Sequence, residues 1–208
     1  MHRIIYLFAA SAAALGLLTT LAQAADGPAG PGTGKPDYQV LFTQLEKVDA
    51  VHEGAREAKS LLYVFFDANC FYCHITWKSL QPYEAAGLQV RWVPVAYQQA
   101  SSAGRAAAIM QARDRVAALR KNEIGYDALQ LSGGIRPVEK VPEALAAQLQ
   151  SNTILMERFG APGTPALVWK NHDGTVRLKL GVPRLSELPQ ITRLPAQANN
   201  DPELERFR

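Results

Sequence analysis

The pattern of apolar and polar positions predicts strands and helices around one buried run. Residues 61–66 are continuously apolar, β-branched and aromatic, which is typical of a strand covered on both faces. Beyond a short polar break, apolar residues recur at helical intervals until Pro82 and Gly87. Residues 88–95 alternate and then become continuously apolar, which predicts a second strand. The pattern therefore predicts a right-handed βαβ unit with two parallel strands.

The segments around this unit are shorter and more polar. Residues 38–50 predict a short helix, and residues 50–60 predict a turn or the frayed end of a helix. After the unit, helical patterns fill a block at about residues 98–159, which is too long for a loop and is therefore an inserted subdomain. Helices are expected within the block at 101–120, 124–131 and 142–159. Beyond it we expect two strands joined by a hairpin turn and then a short helix, at residues 166–170, 175–180 and 185–191.

The N-terminus has the pattern of a secretory signal peptide. Residues 1–24 contain a basic start, an apolar middle and a terminal Ala-Gln-Ala, so we expect cleavage after Ala24 and export. An uncleaved membrane anchor is the alternative. Residues 25–37 are rich in glycine and proline and predict a flexible linker. A folded domain is expected over residues 38–194, followed by a polar, frayed tail at residues 195–208.

Length and charge exclude several classes of function. Removal of 24 of the 208 residues leaves a chain of about 184, which suits a single domain with a sizeable core. The formal net charge is only +3, and no run of lysine or arginine is present, so we expect no nucleic-acid partner. No second apolar stretch is long enough to span a membrane.

The chain contains 2 cysteines, Cys70 and Cys73, where the predicted strand leads into the helix. The first turn of a helix has unpaired N–H groups and the positive end of the helix dipole, and both stabilise an anion. We therefore expect the pKa of Cys70 to be lowered and its thiolate to be reactive. A structural disulfide is the alternative, but such a small ring removes little chain entropy. A redox pair is the better interpretation.

The order of these elements resembles the thioredoxin superfamily, and within it the exported Dsb proteins. The catalytic domain of the DsbC/DsbG-type proteins is the best match, over about residues 45–193. The resemblance is carried by Val64-Phe65-Phe66-Asp67 before Cys-Phe-Tyr-Cys at residues 70–73, by Gly163-Thr164-Pro165-Ala166 before a strand, and by Gly181-Val182-Pro183. It implies an α/β thioredoxin-like fold, with a central mixed sheet flanked by helices and an inserted helical subdomain.

The resemblance also implies roles for the residues of the cysteine motif. Cys70 is expected to be the exposed attacking thiolate, and the more buried Cys73 is expected to resolve the mixed disulfide. The pair would alternate between the dithiol and a Cys70–Cys73 disulfide. Phe71 and Tyr72 are expected to tune the leaving tendency of Cys70 and to contact the substrate.

Four further residues are candidates for the same site. Pro165 is expected to be cis, with the neighbouring backbone groups of Thr164 free to pair with an extended substrate. Asp67 precedes the cysteines and either assists proton transfer to the buried thiol or caps the loop. His74 either supports the thiolate charge or is a surface residue of the first helical turn.

Taken together, the resemblance implies an exported, periplasmic thiol:disulfide oxidoreductase without a cofactor. Its expected partners are cysteine-containing exported proteins and a membrane redox partner that resets the cysteine pair. The DsbC/DsbG-type proteins carry an N-terminal dimerisation domain, for which few residues precede the match here. We therefore expect a monomer, and a dimeric disulfide isomerase or chaperone is the alternative.

Two alternatives use the cysteines to hold a cofactor. The five letters at residues 70–74 also match the C-x-x-C-H pattern of c-type haem attachment. A haem site would need a second axial ligand, and none of the candidates stands out: Met110, Met156, His52 and His172. The two thiolates alone form an incomplete shell for zinc or copper, which a second chain or His74 would have to complete.

Overall fold

The computed structural model describes residues 36–208. The predicted signal peptide and most of the predicted linker lie outside the described residues. At the linker's end, Asp37 caps the first helix by accepting from two backbone N–H groups. The α-helices are α1 (Tyr38–Leu45), α2 (Phe71–Ala85), α3 (Ser102–Met110), α4 (Arg115–Ile124), α5 (Glu143–Arg158) and α6 (Leu188–Thr192). The strands are β1 (Val51–Gly54), β2 (Ser60–Asp67), β3 (Leu88–Val95), β4 (Ala166–Lys170) and β5 (Val176–Leu180). Short 3₁₀ helices cover Leu185–Glu187 and Pro202–Phe207.

The strands form one mixed sheet in the order β1-β3-β2-β4-β5 within the described chain. Strands β2 and β3 are parallel and in register from Ser60 opposite Leu88 to Asp67 opposite Val95. The other three pairs are antiparallel. The predicted βαβ unit is thus confirmed, and helices α3, α4 and α5 form the predicted insertion between β3 and β4.

Strand β2 is apolar throughout because both of its faces are covered. Leu62, Val64 and Phe66 belong to the core cluster beneath α2. Tyr63 and Phe65 belong to a second cluster on the opposite face, which helices α1 and α5 cover. A central parallel strand buried on both sides reads as a continuous apolar run rather than an alternating one.

Two segments differ from the sequence prediction. Residues 51–54, expected to be a turn or a frayed helix end, form edge strand β1, in which Val51 and Glu53 face inward. A buried carboxylate in place of an apolar residue hides the alternation. The helix expected at 101–120 is two helices, because Asp114 caps a new one by accepting from the Ala117 N–H at 2.9 Å. The helix expected at 124–131 is a series of turns closed by a bridge between Asp127 and Ser132.

The tail is ordered against α2, so the prediction that it is frayed is wrong. Leu204 is fully buried. Lys78 of α2 pairs with Asp201 at 2.9 Å and with Glu203. One buried leucine and these ion pairs fix a segment whose composition is otherwise polar. None of the described helices is both long enough and apolar enough to cross a membrane.

Candidate active site

Cys70 lies at the junction between β2 and α2. It is the N-terminal cap of α2, and its carbonyl accepts from the backbone N–H groups of Cys73 and His74 at 3.0 and 3.1 Å. Both cysteines are free thiols. The predicted Cys70–Cys73 disulfide is therefore not present in this structure, which describes the dithiol form.

The expectation that Cys70 is exposed is wrong for this dithiol form. The residue is only 5% exposed, and Cys73 is 1% exposed. The loop at Thr164 covers the first sulfur, because the Cys70 thiol donates to the Thr164 carbonyl at 3.5 Å. Cys73 is the more buried of the two, as expected, and both belong to the core cluster beneath α2.

The pKa values of the two thiols are shifted in opposite directions. A hydrogen bond from the Cys73 thiol lowers the pKa of Cys70, against the opposing effect of burial, and backbone N–H groups at the helix start contribute to the lowering. Burial raises the pKa of Cys73 well above its ordinary value, and the proton that it shares with Cys70 raises it further. The pair can therefore present one thiolate, at Cys70, and keep the proton on Cys73.

The Thr164–Pro165 peptide bond is cis, as the resemblance implied. The backbone groups of Thr164, however, are not free. Its N–H donates to the Tyr97 hydroxyl at 2.7 Å, and its carbonyl accepts from Cys70. Tyr97 follows β3 closely and its side chain reaches across to the loop, so this expectation is corrected by a contact from a distant part of the chain.

Asp67 is buried, and its carboxylate accepts four hydrogen bonds. It accepts from the backbone N–H groups of Asn69, Tyr97 and Gln98 at 2.9, 2.8 and 3.0 Å. It also accepts from the Ser102 hydroxyl at 2.7 Å. These bonds join the loop before Cys70 to the segment after β3. Of the two interpretations of Asp67, this geometry favours the capping of the loop.

His74 is buried, so the interpretation as a surface residue is wrong. Its ring stacks on Tyr126, with 4.8 Å between centroids. Nδ1 lies 3.5 Å from Glu123 Oε2, and Nε2 lies 3.4 Å from Glu203 Oε2. The imidazole thus connects α2 to α4 and to the tail. Two ring nitrogens that face carboxylates do not fit the haem ligand that the C-x-x-C-H pattern requires.

Phe71 and Tyr72, between the cysteines, lie at the surface. Tyr72 is 50% exposed, and the two rings meet edge to face with 5.6 Å between centroids. The Arg206 guanidinium of the tail lies 5.7 Å from the Phe71 ring and 6.0 Å from the Tyr72 ring. A cation over aromatic faces is a favourable contact. It makes the tail part of the surface beside the cysteines.

Several residues of this site come from parts of the chain that the motifs around the cysteines do not indicate. Tyr97 carried a usable signal, because it follows the carboxyl end of β3 and the cysteines follow that of the parallel strand β2. Such ends meet at one edge of a sheet. Asn69 is joined to this edge by Tyr126, whose hydroxyl donates to its carbonyl at 2.9 Å. No sequence pattern indicates Arg206, which lies in the tail at residues 195–208 that was expected to be frayed. Within residues 36–208, no three side chains of histidine, cysteine, aspartate or glutamate are grouped to hold a metal ion.

Comparison with known families and proteins agrees with this architecture. Residues 48–190 match the family model described as a thioredoxin-like domain. The chain is 31% identical over 157 residues to the thiol:disulfide interchange protein DsbG of Pseudomonas aeruginosa, covering 75% of this chain and 60% of that protein. It is 31% identical over 156 residues to DsbC of Dickeya dadantii, covering 72% of this chain and 60% of that protein. The chain thus spans about three fifths of the length of these relatives.

Two solved structures with a similar fold are those of a periplasmic thioredoxin-like protein and of the protein ScsC. A periplasmic thioredoxin-like protein from Salmonella enterica serovar Typhimurium has a TM-score of 0.59 at 20% identity, covering 74% of this chain and 94% of that chain. ScsC from Proteus mirabilis in a compact conformation has a TM-score of 0.57 at 21% identity, covering 82% and 81%. At these identities the similarity shows the fold alone, and the predicted thioredoxin-like fold is confirmed.

Proposed function

Since the chain belongs to the thioredoxin-like domain family, we propose that it is an exported thiol:disulfide oxidoreductase that uses Cys70 and Cys73. The observation that carries this proposal is the placement of the two cysteines: Cys70 is the N-terminal cap of α2, and Cys73 is buried one turn further on. The pKa of Cys70 is lowered by the hydrogen bond from Cys73 and that of Cys73 is raised by burial, which agrees with this placement. An attacking thiol needs a lowered pKa, and a resolving thiol must keep its proton until the mixed disulfide has formed. The relatives that share this region are named thiol:disulfide interchange proteins.

The proposed reaction proceeds in two exchange steps. The Cys70 thiolate attacks one sulfur of a client disulfide, and the other client sulfur leaves as a thiolate and takes up a proton. Cys73 then loses its proton and attacks the Cys70 sulfur of the mixed disulfide. The client leaves as a dithiol, two electrons have passed to it, and a Cys70–Cys73 disulfide remains. The reverse sequence oxidises a client dithiol.

The partners and location are part of the proposal. We propose that the clients are cysteine-containing proteins exported to the periplasm, and that a membrane redox partner resets the cysteine pair. We also propose that the protein acts as a monomer, in which one chain supplies both Cys70 and Cys73. Thr164 and Pro165 are proposed to contact the client, and Phe71 and Tyr72 to tune Cys70.

A trapping experiment tests the proposal. In the Cys73→Ala variant the resolving thiol is missing, so the reaction with a client disulfide stops after the first exchange step. The expected product is a mixed disulfide through Cys70, which intact-protein and peptide mass measurements identify. The matched variant, Cys70→Ala, is expected to trap no client. Equal trapping by the two variants would contradict the assigned roles, and no trapping by either would contradict the function.

A further inference from the structure

Tyr97 covers a backbone group beside the reactive sulfur. Its hydroxyl accepts from the Thr164 N–H at 2.7 Å and lies 3.1 Å from Thr164 Oγ1. The carbonyl of the same threonine lies 3.5 Å from Cys70 Sγ. Thr164 is only partly buried, and Tyr97 is 43% exposed. The contact therefore lies at the surface and within reach of a protein that approaches Cys70.

No strand of the described sheet pairs with the Thr164 N–H. Strand β4 starts at Ala166, which is in register with Phe65 of β2 and Leu180 of β5. The preceding Pro165 carbonyl still accepts from the Gly181 N–H at 2.9 Å. Thr164 lies one residue before Pro165, outside the hydrogen bonds of the sheet. Without the Tyr97 hydroxyl its N–H would have no partner among the described protein groups and would have to pair with water or with a bound client.

A client that reacts with Cys70 must come close to the same group. A disulfide bond is about 2 Å long, so the client's cysteine lies next to the Thr164 carbonyl once it is bonded to Cys70. An extended client chain satisfies its own backbone groups by pairing with a free strand edge. At Thr164 this requires a client carbonyl at the N–H, and the Tyr97 hydroxyl occupies that place.

We propose that Tyr97 is a displaceable cap that holds the position of a client's backbone carbonyl and thereby influences which disulfides react. The inference rests on the proposed function and deepens it. A client with an extended segment around its cysteine displaces the hydroxyl and keeps the Thr164 N–H paired. A small disulfide without a peptide backbone reacts without this exchange. Tyr97 is thus a specificity-determining residue.

The backbone of Tyr97 is fixed, so its side chain can move without the rest of the segment. Its backbone N–H is fixed at 2.8 Å to the buried Asp67 carboxylate. The exposed side chain can therefore rotate away while the segment after β3 keeps its place. Displacement breaks two neutral hydrogen bonds at a partly solvated site, the one from the Thr164 N–H and the one that the Tyr97 hydroxyl donates to Thr164 Oγ1. The net contribution of each such bond is small, and a client carbonyl can replace the first of them.

The test compares two disulfides that share one leaving group. One is a linear peptide whose single cysteine carries 2-mercaptoethanol, and the other is hydroxyethyl disulfide. In each reaction Cys70 bonds to one sulfur and 2-mercaptoethanol leaves as a thiolate. The measured quantity is the ratio of the second-order rate constant for the peptide to that for hydroxyethyl disulfide. In Tyr97→Phe we expect this ratio to rise about three- to tenfold, the factor that corresponds to one net hydrogen bond.

The matched control is Tyr38→Phe, which removes a phenol hydroxyl from α1, where the ring packs against Phe159 in the other core cluster. Its ratio should equal that of the wild type. Amide exchange at Thr164 gives a second readout. It should be faster in Tyr97→Phe and slow again when the Tyr97→Phe/Cys73→Ala double variant traps the peptide, and a purely structural role of Tyr97 would not produce this renewed protection.

The possible failures are distinguishable. An unchanged or lower ratio in Tyr97→Phe, with a wild type that reacts with both disulfides, would overturn the cap and leave the proposed function intact. A wild type that reacts with neither disulfide would overturn the proposed function and the cap with it. A Thr164 amide that stays unprotected in the trapped complex would also contradict the cap.

Discussion

Each end of α2 contains a buried pair of ionisable groups, and only one pair has the surroundings of a reactive site. At the N-terminal end the pair is Cys70 and Cys73. At the C-terminal end Glu84 lies beside Glu53 of β1. In both pairs one pKa is raised: burial raises that of Cys73, and burial together with the Glu53 carboxylate raises that of Glu84 to about 8. Burial and a like-charged neighbour therefore act at both ends.

The direction of the helix makes the two ends different. A thiolate at Cys70 lies at the N-terminus, where free N–H groups and the helix dipole favour negative charge. A carboxylate at Glu84 lies in the last turn, where the dipole disfavours it. The helix itself therefore promotes ionisation of Cys70 and opposes ionisation of Glu84.

Access is the second difference. Glu53 is enclosed by three donors, since it accepts from the indole N–H groups of Trp77 and Trp92 at 3.0 and 3.1 Å and from Arg120 at 2.7 Å. The contact that covers the Cys70 sulfur from the Thr164 loop is a long hydrogen bond of 3.5 Å, and that loop is itself partly exposed. The comparison shows that a shifted pKa alone does not indicate catalysis, because structural networks shift pKa values too.

Removal of Glu53 is expected to have the largest effect on stability. Glu53→Ala leaves two buried indole donors and Arg120 without their acceptor, which should lower the free energy of unfolding by about 3 kcal/mol. Urea denaturation followed by tryptophan fluorescence measures the change. Glu53→Gln is the matched variant and should lose less, because its amide oxygen still accepts. A loss below about 0.5 kcal/mol for Glu53→Ala would show that the network is not needed for stability.

The effect of Glu84 is smaller and depends on pH. Because its folded-state pKa is raised to about 8, the folded chain keeps a proton that the unfolded chain loses near 4.5. The unfolded state thus binds fewer protons in this window, and stability falls as the pH rises through it. Glu84→Gln has no proton to lose in this window, so its free energy of unfolding should not fall in the same way. The difference in free energy of unfolding, variant minus wild type, should grow from about pH 5 to about pH 8 by on the order of 1 to 2 kcal/mol.

Urea titrations of wild type and Glu84→Gln at several pH values test this expectation. Parallel stability curves across the range would mean that Glu84 has an ordinary pKa in the folded protein. The variant also sharpens the comparison between the two ends of the helix. Glu84 is remote from the thiols, so the rate at which Cys70 reacts should not change.

The features that sequence predicted are those encoded locally. The apolar run of β2, the helix that follows it and the cysteines at their junction lie within 25 residues of one another, at 61–85. The apolar periodicity and the position of the cysteines at a helix start are therefore enough to predict these features. Thr164–Pro165 was identified because the short motif before a strand resembles that of a known family.

The features that sequence missed depend on distant contacts or on polar residues in apolar positions. Tyr97 meets Thr164 across 67 residues of chain, and Lys78 meets Glu203 across 125. No local pattern specifies either pair. Strand β1 was missed because the buried Glu53 reads as a surface residue until its three donors are brought together by the fold.

The reactivity proposed for this site depends on a difference in pKa between the two cysteines, with the thiolate at Cys70. The most direct measurement is the pH dependence of alkylation of the reduced protein by iodoacetamide, with each cysteine followed by peptide mass analysis. We expect Cys70 to be modified first, with a midpoint below the ordinary cysteine pKa of about 8.5, and Cys73 to stay unmodified until well above it. Modification of both cysteines with one midpoint, or of Cys73 first, would contradict it.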